Sequence, residues 1–425
     1  MTDASAAGTL TSTQSPRRLT REEAGFARRD LMRRRLVALG LVAPLFLFIL
    51  FAFIAPIASM LSRSVYNPTV AELIPDTLAE LRAWDGEGTP GPAVLTAMAI
   101  ELKRLQAERN AGRLADELNQ RLPGTSSIVK STARRLSGVT DEELAQTGDT
   151  LLLEANEKWA SADLWLTARA AGRVYTIDNY LTAVDLERTP EGQIQRRASA
   201  QIYVPLYLKT LRVALLITLL CIVLGYPLAF YLANAPPRTA NLLIILVLLP
   251  FWTSVLVRAT AWIALLQTNG VINSVLMGLG VISQPMEMLY TEFATVVTMT
   301  HILLPFMILP LYSVMKGIDP SYMRAALSLG ARPVPAFIHV YLPISAPGLS
   351  AGAMIVFIIA VGYYIIPALV GGPDGQMISN LVAYHMQRSN NWELAAALGT
   401  LLLALILLLY WIYDRLVGVD NVKLG

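Results

Sequence analysis

The sequence predicts an all-α membrane protein with about six transmembrane helices and an inserted helical domain after the first of them. The chain has 425 residues, of which 54% are hydrophobic and only 15% charged, with a mean hydropathy of +0.50. A soluble protein would carry about 25% charged residues. The charges cluster in a few segments, and uncharged runs long enough to cross a bilayer separate these segments.

The first uncharged run covers residues 36–61 and follows a polar tail, residues 1–35. At about 1.5 Å per helical residue, the run exceeds the roughly 30 Å of the hydrocarbon core. The apolar part of a signal peptide has only about 7–15 residues, so we predict an uncleaved transmembrane helix. By the positive-inside rule, the arginines of the tail predict a cytoplasmic N-terminus. They are Arg17, Arg18, Arg21, Arg28, Arg29, Arg33, Arg34 and Arg35.

Further apolar runs predict a transmembrane core over residues 207–417, and a cytoplasmic tail follows at 418–425. Alternating crossings place the segment 62–206 outside and the loop 315–345 in the cytoplasm. The loop at 268–292 contains acidic residues but no Lys or Arg, whereas the loop 315–345 is basic, which agrees with this orientation. The predicted spans are 210–234, 240–267, 293–314, 348–370 and 395–413.

The outer segment 62–206 is predicted to be a helical extracytoplasmic insertion. Apolar residues recur at a helical period over Ala93–Leu122, and Pro123-Gly124 ends that stretch. A second helix is predicted over Asp141–Ala171, with Thr140 or Asp141 as its N-cap.

Several classes of site are excluded by simple counts. The single cysteine, Cys221, lies in an apolar run and supports neither a disulfide framework nor a cysteine metal site. The histidines His301, His339 and His385 lack metal-ligand spacing. No G-x-x-x-x-G-K-[ST] phosphate loop occurs. The net charge of +3 is too small to indicate nucleic-acid binding.

The cytoplasmic loop contains a helix–turn–helix pattern over Asp319–Pro343. Asp319 suits the N-cap of a short helix, and Pro320 suits its first position. Gly330 can adopt the left-handed conformation that ends this helix. A second short helix is predicted from Pro333 to the Leu342-Pro343 pair.

This pattern resembles the EAA loop of ABC importer permeases, E-A-A-x-x-x-G followed by I-x-L-P. Here the matching residues are Ala325-Ala326-x-x-x-Gly330 and, nine residues later, Val340-x-Leu342-Pro343. Arg324 occupies the position of the motif's Glu. The resemblance implies that the loop docks on an ATP-binding subunit. It assigns the coupling role to Arg324, Ala325, Ala326, Gly330, Phe337, Val340, Leu342 and Pro343.

Over residues 36–61 and 175–415, the chain is similar to the spermidine/putrescine branch of these permeases. The similar segments are Tyr175–Tyr180, Leu249–Ser254 with Arg258, Leu304–Tyr312 and Leu369–Gly372. At Ala368 the characterised polyamine permeases have an acidic residue. This departure leaves the solute open between polyamines and other small organic molecules.

The resemblance implies the ABC importer permease fold in the bacterial inner membrane, where this chain forms half of a translocation pathway within the lipid bilayer. It also implies a second homologous permease, a dimer of ATP-binding subunits and a periplasmic solute-binding protein. ATP and Mg²⁺ would bind the partner subunits, so this chain would hold no cofactor and would not be an enzyme.

Intramembrane polar and aromatic residues are the candidates for a solute path. Arg258 lies within the third predicted span, where a charge should face the protein interior or a wet cavity. Phe251, Trp252, Trp262, Tyr363 and Tyr364 offer π-faces to a cation, although such residues also serve as packing or interfacial anchors. His301 is interpreted as a hydrogen-bonded structural histidine. Gly348, Ala351, Gly352 and Ala353 predict close helix packing against another subunit.

Three other functions compete with this reading. An intramembrane enzyme would need paired catalytic groups or clustered metal ligands, and the spans show none. A receptor would need a cytoplasmic output domain, which neither terminal segment resembles. A secondary transporter would show internal repeats and paired ionisable residues in its spans. The importer subunit therefore fits the sequence best.

Overall fold

The computed structural model describes residues 21–189, 193–197 and 201–417. The predicted tails therefore fall partly outside the described residues, at 1–20 and 418–425. Six helical segments are long and apolar enough to cross a membrane, which confirms the predicted number. They are Met32–Arg63, Tyr203–Asn234, Val255–Gly278, Glu292–Lys316, Pro333–Gly362 and Trp392–Arg415.

The first span belongs to a separate compact unit, Met1–Met60. It is continuous from α1 (Arg21–Ile49) through a π-helical turn (Leu50–Ile54) into α2 (Ala55–Arg63). The turn lies within the predicted span, residues 36–61, and the helix continues through it.

The inserted segment folds into a helical unit. Its helices are α3 (Thr69–Leu73), α4 (Pro75–Glu80), α5 (Pro92–Ala107), α6 (Ala111–Arg121), α7 (Thr125–Leu136), α8 (Asp141–Ala155), α9 (Ala162–Ala171) and α10 (Asp178–Ala183). Short 3-10 turns lie at Leu81–Ala83 and Glu157–Ala160.

This insertion has an apolar core separate from that of the membrane helices. Trp159 and Trp165 are fully buried in it, with ring centroids 5.5 Å apart. The Trp159 indole donates to Thr132 Oγ1 at 2.9 Å, and the Trp165 indole donates to the Trp159 carbonyl at 2.7 Å. Buried aromatic rings with satisfied polar groups stabilise a small core, so the insertion can pack without support from the spans.

Both long helices predicted in the insertion are divided. The one expected over Ala93–Leu122 breaks between α5 and α6, where Arg109 has a left-handed φ of 60°. The one expected over Asp141–Ala171 begins as predicted, because Thr140 Oγ1 accepts from the Glu143 backbone at 3.3 Å. It ends at Ala155, and a 3-10 turn precedes α9.

The insertion is closed at its base by a β-bridge between Tyr66 and Tyr175. The Asn67 amide donates to the Val174 carbonyl at 2.9 Å, and the two tyrosine rings lie 5.2 Å apart. The chain therefore enters and leaves the insertion through one narrow neck. Beyond the neck, the antiparallel strands β1 (Leu186–Arg188) and β2 (Ile194–Arg196) form a hairpin that the all-helical prediction missed.

The transmembrane core contains the remaining helices. They are α11 (Tyr203–Asn234), α12 (Pro237–Leu248), α13 (Val255–Leu266), α14 (Val271–Gly278), α15 (Glu292–Lys316), α16 (Ser321–Ser328), α17 (Pro333–Ala336), α18 (Leu342–Gly362), α19 (Ile365–Val370), α20 (Ile378–Gln387) and α21 (Trp392–Val417). A 3-10 turn (Leu249–Trp252) separates α12 from α13, and a π-helical turn (Phe337–Tyr341) joins α17 to α18.

Helices α11, α15 and α18 pack together at the centre of this core. Met307 of α15 lies between two glycines. A Cβ at Gly225 of α11 would come within 2.9 Å of Met307 Cγ, and a Cβ at Gly352 of α18 within 2.9 Å of Met307 Sδ. The missing side chains thus let the helix backbones approach closely.

The expectation that the small residues of α18 pack on another subunit is wrong for its glycines. A Cβ at Gly348 would lie 2.9 Å from Val314 Cβ of α15, and Gly352 contacts Met307 of the same helix. The sequence marks a position as small, but it does not reveal which neighbour comes close.

The third predicted span, 240–267, is also interrupted. Pro250 lies in the 3-10 turn, and a new helix starts where Ser254 Oγ accepts from the Leu256 backbone at 3.2 Å. Proline supplies no backbone N–H, and the serine caps the next helix. The crossing assigned to this region shifts to Val255–Gly278.

Candidate functional site

The cytoplasmic loop begins with a capped helix. Asp319 Oδ1 accepts the Ser321 backbone N–H at 2.7 Å, so the predicted capping residue is confirmed, while Pro320 lies one position before α16. Hydrogen bonds from the backbone and the side chain of Ser321 hold the pKa of Asp319 below its ordinary value. The carboxylate is therefore ionised at neutral pH and complements the positive N-terminal end of the helix.

Gly330 closes α16 with a Schellman motif. Its φ is +91°, the left-handed value predicted for this glycine. Its N–H donates to the Leu327 carbonyl at 3.0 Å, and the Ala331 N–H donates to the Ala326 carbonyl at 3.1 Å. These two bonds satisfy carbonyls that the helix end would leave free. No heavy atom lies within 4 Å of a Cβ built at Gly330, so backbone conformation alone selects glycine here.

The second short helix expected before Leu342-Pro343 does not end there. It is the first part of a continuous helix, Pro333–Gly362, and the span predicted at 348–370 shifts accordingly. The π-helical turn directly precedes Pro343. A widened turn accommodates a proline ring that would clash in a regular α-helix. The short helix α19 follows the end of this span.

The coupling residues named from the sequence fall into two groups. Arg324, Ala325, Gly330 and Pro343 are exposed, whereas Ala326, Phe337, Val340 and Leu342 are half-buried. The largest exposed apolar surface comes from residues that the motif did not single out. Leu329 is 89% exposed, and it is joined by Tyr322, Leu327, Val334 and Ile338.

These side chains give the loop a contiguous stretch of sequence with unpartnered apolar residues. No residue of α16 is buried. Apolar residues on an exposed loop of this kind mark a protein interaction site more often than a free surface. Their presence in an otherwise polar loop is a signal that sequence reasoning could have used.

Three of the six pathway candidates come together in the membrane core. Trp262 of α13 donates its indole N–H to His301 Nδ1 of α15 at 3.2 Å. The guanidinium of Arg258 lies close enough to interact electrostatically with both His301 and Tyr363. His301 is therefore hydrogen-bonded, as predicted, and it belongs to the same cluster.

Arg258 is incompletely satisfied in this cluster. Its Nε is buried and makes no hydrogen bond to any described residue. A buried donor without a partner is costly, and a bound solute or water is the ordinary way to satisfy it. The cluster of Arg258, Trp262, His301 and Tyr363 is thus a polar site inside an apolar core.

The other three pathway candidates lie apart from this cluster. Phe251 packs edge-on against Phe306, with ring centroids 5.1 Å apart. Trp252 is 75% exposed, and Tyr364 is also exposed. The Tyr364 carbonyl accepts from Asn380 Nδ2 at 2.7 Å, which ties the start of α19 to α20. No contact of these residues forms part of the Arg258 cluster in the described chain.

Residues 194–418 match the family described as binding-protein-dependent transport system inner membrane component. The match begins after the insertion. It includes both the cytoplasmic loop and the Arg258 cluster.

Individual relatives agree with the family match. The spermidine/putrescine transport system permease protein PotB of Escherichia coli K12 is 35% identical over 248 residues, covering 58% of this chain and 85% of PotB. The inner membrane ABC transporter permease protein YdcU of the same strain is 33% identical over 261 residues, covering 57% of this chain and 80% of YdcU. One chain of a bacterial alginate ABC transporter, crystallised with an alginate-bound periplasmic protein, superimposes with a TM-score of 0.44 at 16% identity, covering 53% of this chain and 82% of that chain.

Proposed function

The chain belongs to the family of binding-protein-dependent transport system inner membrane components, and we propose that it carries a polyamine or a related small organic solute across the membrane. It is a multi-pass inner-membrane permease subunit of an ABC importer, and its relatives are permeases rather than enzymes. This family favours a permease over the receptor and the secondary transporter. The solute class rests on PotB, which is named as a spermidine/putrescine permease.

The cytoplasmic loop supplies the contact with the motor in this proposal. Its exposed apolar residues, with Leu329 the most exposed, would fit a groove on a separate ATP-binding subunit. ATP and Mg²⁺ would bind that subunit. Arg324 is exposed beside this surface, so at the edge of the contact it would meet acidic rather than basic groups.

The Arg258 cluster supplies a point on the solute path. The Trp262 and Tyr363 rings offer π-faces to an organic cation, while the buried Nε of Arg258 offers a donor to a hydroxyl or carbonyl. A site with both features suits a solute that is partly cationic and partly polar. A second homologous permease would form the other half of the path, and a periplasmic binding protein would deliver the solute.

Uptake measurements test this function directly. Cells that lack the chain are expected to lose energy-dependent uptake of labelled spermidine or putrescine, and the restored chain should return it. A Leu329→Asp variant should insert normally yet give no uptake, because a charge on the docking surface opposes burial against the ATP-binding subunit. If polyamine uptake persists in the deletion strain, the solute class is wrong.

Orientation has its own test. With Cys221 replaced by serine, single cysteines are introduced at Ser127 in the insertion and at Ser328 in the loop, both of which are exposed. An impermeant maleimide should label position 127 in intact spheroplasts and position 328 only after lysis, because the two sites lie on opposite sides of the membrane. Labelling of both from outside would refute the proposed topology and with it the cytoplasmic position of the loop.

A further inference from the structure

Four aromatic rings join α11 to the π-helical turn behind the cytoplasmic loop. Phe337 and Tyr341 stack at 5.5 Å with an interplanar angle of 13°. Phe230 of α11 meets both of them edge-on, at 5.5 Å and 5.1 Å, with angles of 87° and 84°. Tyr226, one turn earlier on α11, meets Phe337 edge-on at 6.0 Å. We call these four residues the aromatic clamp.

The π-helical turn gives the clamp its geometry. The widened turn places residues Phe337 and Tyr341 on one face, with their rings parallel. Edge-to-face contact with Phe230 is the favoured arrangement for aromatic rings. The contact therefore has a preferred orientation, unlike an ordinary apolar contact.

A hydrogen bond fixes the membrane side of the clamp. Tyr226 OH lies 2.8 Å from Ser345 Oγ, which also donates to the Leu342 carbonyl at 2.9 Å. Ser345 is fully buried, and Tyr341 is only 5% exposed. By contrast, no residue of α16 is buried. The loop is thus attached firmly to α11 through this turn, while its helix remains accessible.

We propose that Tyr226 and Phe230 are positioning residues, which pass movement of the cytoplasmic loop to α11 and so to the central helices. The inference rests on the proposed coupling of the loop to an ATP-binding subunit. A shift of the turn displaces the stacked pair, and α11 follows because its two rings are held edge-on and by a hydrogen bond. From α11 the shift reaches α15 through the Gly225–Met307 contact.

The test uses the assembled importer in proteoliposomes. Phe230→Leu keeps an apolar side chain but removes the edge-on contacts. Basal ATP hydrolysis and co-purification of the subunits should remain, while the stimulation of hydrolysis by the solute-loaded binding protein should fall by about fivefold or more, the range of ordinary coupling between sites. Phe230→Tyr keeps the ring and should restore stimulation.

The matched control is Tyr231→Leu, the neighbouring aromatic residue, which is 54% exposed and should leave stimulation unchanged. In addition, Phe337→Leu should lower stimulation, and the double variant Phe230→Leu/Phe337→Leu should be no worse than the stronger single variant, because contacting residues are not additive. Normal stimulation in Phe230→Leu, or an equal loss in Tyr231→Leu, overturns the inference alone. A wild-type complex without any stimulation overturns the proposed function and this inference together.

Discussion

Replacing Gly330 with valine is expected to reduce solute uptake by about 5- to 150-fold, the factor that corresponds to 1–3 kcal/mol. A strained backbone conformation costs about 1–3 kcal/mol, and β-branched residues are poorly accommodated at positive φ. Gly330 has a φ of +91° in the Schellman turn of the loop. The variant would favour another turn and misplace Leu329. Uptake and solute-stimulated ATP hydrolysis are the measurements.

Two variants separate conformation from other effects at this turn. Gly330→Asn should keep most of the uptake, because asparagine tolerates the left-handed region. Gly317→Val, near the start of the same loop, should have little effect, because Gly317 has a φ of −83° and its nearest neighbour is 3.5 Å from a built Cβ. If Gly330→Val inserts and transports as well as Gly330→Asn, the turn has no part in coupling.

Excision of the insertion, Asn67–Gly172, with a short Gly/Ser linker in its place, is the second large-effect prediction. The bridge between Tyr66 and Tyr175 brings the cut ends together, and the insertion has its own core, so the spans should still fold. Basal ATP hydrolysis should persist. Stimulation by the loaded binding protein should fall by about fivefold or more, because we propose that the insertion shapes the surface on which that protein docks or braces the partner permease.

A variant that unfolds the insertion without shortening the chain completes this experiment. Trp165→Asp places a charge in the buried aromatic pair and should reproduce the excision, since an unpaired buried charge is strongly destabilising. Arg135→Gln, on the exposed surface of α7, serves as its control. Unchanged stimulation, assembly and uptake in the excised chain would mean that the insertion is a tolerated elaboration, which loop entropy permits at small cost.

The spans were predictable because a bilayer demands long uncharged runs, and these are visible in the sequence. Helix interruptions were harder to predict. Arg109 adopts a left-handed conformation without the glycine that usually signals one. Pro250 was overlooked because the apolar run continues through it. At Pro343 the opposite error occurred, since proline suggested an end and a π-helical turn carries the helix onward.

The candidate site was predicted in part for the same physical reasons. Gly330 stood out because a local backbone requirement is written in the residue type. The Arg258 cluster depends on contacts between α13, α15 and the end of α18, and residue types do not specify such contacts. The aromatic clamp joins Phe230 to Phe337 across more than 100 residues of sequence, so no local pattern indicates it.

Met307 gives the three central helices a kind of mechanical compliance. It fills the space between the bare backbones at Gly225 and Gly352. An unbranched thioether has several rotamers of similar energy and adapts to irregular gaps, whereas branched side chains would interlock. Neighbouring helices can therefore slide by small steps while staying in contact. Bilayers differ in thickness, and spans respond by tilting; one soft side chain lets this subunit absorb such a tilt internally.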